Sequence, residues 1–87
     1  MTTARTCRQV VAAVKAQGYE LGFYRHEPGY FVWVYDTLDK GGIYEEQSDY
    51  TFRLNQRSLE AWVADGVKFA TACQTVEKNR KQLQESF

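Results

Sequence analysis

The chain has 87 residues, below the roughly 100–150 of a typical domain, so dividing it would leave two pieces too small to bury cores of their own. It is 44% hydrophobic and 25% charged, with one proline and six glycines, which excludes the usual composition of a disordered chain. Eleven Lys and Arg balance eleven Asp and Glu, so no global field gathers nucleic acid or an anionic membrane.

Cys7, Val10, Val11 and Val14 fall at i, i+3, i+4 and i+7, one stripe of an amphipathic helix whose other side carries Arg5, Arg8, Gln9, Ala12 and Lys15. Thr6 and Gln9 suit a capping box, or Thr3 caps a helix one turn longer, and Gly18 is placed to terminate it. From Tyr19 the period becomes two, with Tyr19, Leu21 and Phe23 alternating with Glu20, Gly22 and Tyr24 up to the turn pair Pro28-Gly29. Tyr30 to Tyr35 is an unbroken β-branched and aromatic run, the pattern of a central strand. Lys40-Gly41-Gly42 supplies the next loop, and Ile43 to Leu54 runs back with Tyr50, Phe52 and Leu54 in alternation. Asn55 is placed as the N-cap of a long second helix, with Leu54 and Leu59 as its hydrophobic staple. Leu59, Trp62, Gly66, Phe69, Cys73 and Val76 keep a single stripe, interrupted at Asp65-Gly66 by a kink or a break, or continuous through it. Beyond Val76 the sequence is polar all round, so the last two turns project or fray. The expected fold is α+β, of αβββα order, a three-stranded antiparallel meander with both helices on one face of a single domain covering 1–87.

A two-residue turn at Pro28-Gly29 sets Tyr24 opposite Trp33, and a three-residue second loop sets Val32 opposite Tyr50 and Tyr30 opposite Phe52. Leu21, Phe23, Tyr30, Val32, Val34, Tyr50 and Phe52 then share the core face, and Val10, Val14, Leu59 and Trp62 pack upon it. Tyr24, His26, Phe31, Trp33, Tyr35, Thr51 and Arg53 share the other. Either that face is open, and Tyr24, Phe31, Trp33 and Tyr35 form an aromatic interaction patch, or the second helix wraps over it. A one-residue change of loop length in the first hairpin exchanges the faces of its strands.

The segment from Asp36 to Asp49 sets Asp36, Asp39, Glu45, Glu46 and Asp49 against Lys40 alone, so overall neutrality hides an acidic hairpin. Its spacing does not match a calcium loop, and no metal is expected. The acids either engage a basic surface by complementarity or serve as a solvated edge that deters sheet aggregation. His26 reads as a surface turn residue without a catalytic partner. Cys7 and Cys73 lie on apolar stripes, as packed thiols or a helix-to-helix disulfide, and their spacing suits no zinc site. Lys68, Lys78, Arg80 and Lys81 are spread over several turns, as solubilising charges or, with Arg53, as guides for a single strand. No secretory leader or membrane span is evident, and a cytoplasmic protein without a cofactor is expected.

In size, absence of a catalytic constellation, aromatic richness and acidic hairpin, the chain resembles the small inhibitor proteins encoded by phages and mobile elements, including anti-CRISPR proteins. That resemblance is one of type, without a shared motif, and implies no residue roles. The expected function is a non-enzymatic protein-binding module, in the form of an inhibitor covering a basic or nucleic-acid-binding surface of a larger complex. Its partner surface is drawn from Tyr24, Phe31, Trp33, Tyr35, Asp36, Asp39, Glu45, Glu46 and Asp49, and direct nucleic-acid binding is not expected. The alternatives are a single-strand-binding domain using the aromatic sheet, and a homodimer built on the near-heptad spacing from Leu59 to Leu83.

Overall fold

The computed structural model describes residues 2–27 and 29–85, the last two by backbone only. Helix α1 spans Cys7–Ala16, strands β1, β2 and β3 span Gly22–His26, Tyr30–Asp36 and Tyr44–Asp49, and helix α2 spans Leu59–Glu85. The strands form one antiparallel sheet in the order β1-β2-β3, so the αβββα arrangement holds. Short 3-10 turns at Leu38–Lys40 and Leu54–Gln56 complete it.

Local chemistry sets the bounds of α1. The Thr6 hydroxyl accepts from the Gln9 amide at 3.0 Å, while Gln9 Oε1 accepts from Arg5 at 2.8 Å, one residue upstream of the reciprocal capping-box bond. At the other end Gly18 takes φ 95°, and the Tyr19 and Gly18 amides donate to Val14 and Lys15 carbonyls at 3.3 and 2.9 Å, a Schellman motif.

The register differs from the expected one in both hairpins. His26 pairs with Tyr30, which makes the first connection a three-residue loop of Glu27, Pro28 and Gly29. Pro28 itself lies outside the described residues. One extra loop residue sets Phe23 opposite Trp33 and Tyr24 opposite Val32, and β2 turns over relative to expectation. Phe31, Trp33 and Tyr35, expected in the open patch, are therefore buried with Phe23 on the helix side. Val32 is also buried, but on the opposite face and outside the main core.

The second connection runs from Thr37 to Ile43 and sets Asp36 opposite Tyr44. Strand β3 stops at Asp49 because its carboxylate accepts from the Thr51 amide and hydroxyl at 3.0 and 2.6 Å, a side-chain turn that diverts the chain. Arg57 holds the same carboxylate at 2.7 Å, reaches Asp65 at 2.5 Å, and lies 4.5 Å from the Trp62 ring centre. Tyr50 and Phe52, expected as core strand residues, are consequently exposed.

Ser58, rather than Asn55, caps α2: its hydroxyl accepts from the Ala61 amide at 3.1 Å. The helix passes through Asp65-Gly66 without a break. Its apolar stripe delivers Trp62, Phe69 and Cys73 onto Val10, Val14, Phe23, Phe31 and Trp33, with the Phe23 and Trp33 ring centres 4.2 Å apart. The start of the chain is fastened to this helix, with Thr3 bridged to Ser58 and the Thr2 amide 3.1 Å from both Glu60 carboxylate oxygens. Among the described residues no helix is long and apolar enough to cross a membrane.

Candidate functional site

Side chains alternate across a strand, so the register assigns one sheet face to the helices and, among the described residues, leaves the other without a covering element. The uncovered face carries Tyr24 and His26 from β1, Tyr30, Val32, Val34 and Asp36 from β2, and Tyr44, Glu46 and Ser48 from β3. Tyr24 and Tyr44 are 41% and 46% exposed, whereas Val32 is closed off at the centre of the middle strand. The rings make a row: Tyr24 to His26 at 6.5 Å, His26 stacked on Tyr30 at 4.7 Å, and Tyr30 to Tyr50 at 5.3 Å. An aromatic face thus exists, but it is built of tyrosines with polar tips. Of the four aromatics expected there, only Tyr24 belongs to it.

The expected acids divide. Asp36 and Glu46 lie on the open face, at the end next to the β2–β3 loop that carries Asp39. Glu45, exposed, alternates to the helix side, and Asp49 stands at the far end of β3 with Arg57. The Tyr44 hydroxyl donates to Glu46 Oε1 at 2.6 Å, a bond that holds the phenol protonated and pushes its pKa up to about 12. A tyrosine fixed beside a carboxylate in this way offers an apolar ring and an acceptor oxygen together.

The acidic loop is anchored to α2. Thr37 donates through its hydroxyl to Glu77, Tyr35 does the same at 3.3 Å, and the Ile43 amide donates to the Thr37 hydroxyl at 3.0 Å. The Thr37 bond, foremost, holds the Glu77 carboxyl below its ordinary value. Gly42 is required at this junction, because a Cβ there would collide with Thr37 and Glu77.

Neither thiol is primed for nucleophilic work: burial pushes the pKa of both Cys7 and Cys73 up, and both are free. His26 Nδ1 lies 2.6 Å from the Glu27 carbonyl oxygen. Among the described residues no cluster of three His, Cys, Asp or Glu is placed to hold a metal ion. Between α1 and α2 runs a shallow groove of about 640 Å³, lined by Ala13, Leu59, Val63, Ala64 and Val67 among others. In comparison with known proteins, no family model, curated protein or solved structure matches the chain.

Sequence reasoning missed Tyr30, Tyr44 and Tyr50 as members of the open face. The available signal was the count of loop residues after His26, since tyrosines 24, 30 and 44 share a face only when three residues separate the strands.

Proposed function

We propose that the protein is a non-enzymatic protein-binding module that lays its open tyrosine face, with the acidic β2–β3 loop beside it, against a basic surface of a larger nucleic-acid-handling complex, as a small phage-type inhibitor would. The observation that supports this reading is the uncovered sheet face itself, with two helices on one side and the Tyr24–His26–Tyr30–Tyr50 row on the other. Tyrosine gives a large, stiff contact area with a hydrogen-bonding tip, which is why it recurs at the energetic centres of interfaces. Asp36, Asp39 and Glu46 at one end of that face suit a cationic rim on the partner, where charge acts mainly on encounter and orientation.

The test is affinity capture from extracts of the cells in which the protein acts, comparing the native chain with Tyr24→Ser/Tyr30→Ser. The expected result is a protein held by the native chain, released by salt, and lost from the variant, with a deficit of roughly 2 kcal/mol or more once the pair is measured in isolation. Glu46→Gln should slow association more than it speeds dissociation. Equal retention by native and variant chains would refute the assignment of this face.

A further inference from the structure

We propose that the opposite end of the molecule, at the tip of the β1–β2 hairpin, is a second site that takes single-stranded nucleic acid, with Phe52 stacking a base and Arg25 and Arg53 holding phosphates. Phe52 is 53% exposed, and the two guanidinium carbons lie 5.7 and 5.9 Å from its ring centre. The ring rests against Gly29 so closely that a Cβ there would come within 2.9 Å of Cε2, so the backbone fixes its position from behind. Among the described residues, neither Arg25 nor Arg53 is in an ion pair, in contrast with Arg57.

Two unpaired guanidiniums alone would accept any anion. An exposed ring in cation–π contact with both adds a flat apolar surface, and alternating planar groups and phosphates are the chemistry of a single strand. An acidic peptide offers carboxylates without an obligatory ring. The same end of the sheet presents the His26–Tyr30 stack and Tyr50 on its other face, so further bases have rings to meet.

The acidic loop is the natural objection, and the fold answers it. Asp36 is five residues along β2 from Phe31, about 16 Å at strand spacing, which exceeds the Debye length of about 8 Å at physiological salt. Nearer the tip, Glu27 is exposed in the turn and Asp49 is held by Arg57. Overall neutrality therefore does not describe the local charge at Arg25 and Arg53.

Fluorescence anisotropy with labelled oligo-dT of about 12 nucleotides, within the usual site size, tests the proposal at low salt. The native chain should bind, and Phe52→Leu should weaken binding roughly 5- to 100-fold while its melting temperature stays near native. Arg25→Gln/Arg53→Gln should lower the slope of log affinity against log salt by about 1.4, at about 0.7 per phosphate released. Tyr24→Ser/Tyr44→Ser, which alters the open face away from the hairpin tip, should leave the affinity in place, so failure here and failure of the protein-binding face are separate results. Absence of binding to the native chain, or equal binding by native and Phe52→Leu chains, would overturn the site. Displacement of the strand by poly-glutamate as effectively as by unlabelled oligo-dT would overturn it in favour of an acidic protein chain.

Discussion

At Gly66 the helix carries a residue that costs about 1 kcal/mol relative to Ala in a helix interior, and the structure shows what that cost secures. A Cβ at this position would stand 2.6 Å from Trp33 Cη2, 2.9 Å from Cζ3 and 3.0 Å from Val14 Cγ2. Trp33 is completely buried, its indole ring enclosed with Phe23 and Trp62, so it cannot swing aside as a flexible side chain would. Forcing a methyl group into such a contact costs about 1–3 kcal/mol, against the gain of about 1 from helix propensity. Gly66→Ala should therefore destabilise the protein by up to about 2 kcal/mol, read as a lower denaturant midpoint with an unchanged slope. A midpoint higher than native would show that α2 can lift from the sheet at this point without loss.

Glu77 sets how the β2–β3 loop attaches to the second helix, and its ionisation gives that attachment a pH dependence. Its folded pKa lies below its ordinary value of 4.5, chiefly because Thr37 donates to the carboxylate. A depressed folded pKa stabilises the fold above pH 4.5, and the contribution is lost as pH falls through the folded value. Glu60, lowered by backbone amides including that of Thr2, acts in the same direction at the other end of α2. Glu77→Gln should lower the melting temperature at neutral pH and flatten its decline below pH 4.5, measured by circular dichroism across pH. An acid limb identical to that of the native chain would place the dependence elsewhere. Element order and the end of α1 at Gly18 were legible in the sequence, because Gly18 acts within a few residues of itself, whereas the start lay open between Thr3 and Thr6 and is set at Thr6. Register was not: Pro28-Gly29 fits a two-residue or a three-residue loop, and the single position separating them decides whether Trp33 faces the helices or water. The alternation Tyr50, Phe52, Leu54 imitates a strand, whereas the Asp49–Thr51 turn that ends β3 is a local bond hidden inside that pattern. The run of acids was visible in the sequence, but which of them share a face depended on register, and the aromatic face came out with different residues for the same reason.

Across the whole molecule, α2 outruns the sheet it covers. Its 27 residues span about 40 Å, whereas the longest strand, of seven residues, spans about 23 Å. Core packing extends to Cys73 and the loop anchor to Glu77, and among the described residues beyond Cys73 the stripe continues as Val76 and Leu83, 51% and 62% exposed, with Arg80 between them. Two exposed apolar groups one heptad apart fall short of the three to four heptads that sustain a coiled coil, so this overhang lacks the pattern of a dimer seam. Ending the chain after Gln82 retains Glu77, Arg80 and Lys81 and removes only positions beyond the anchor. Leu83, the described side chain that this removes, is 62% exposed, and loss of one exposed side chain stays within about 0.5 kcal/mol, which for a chain of this size is a shift of no more than about 4 °C. The shortened protein should melt within that margin and keep the native mass in light scattering. A larger fall in melting temperature would mean that the last turn supports the domain, and a loss of mass would mean that it joins two copies.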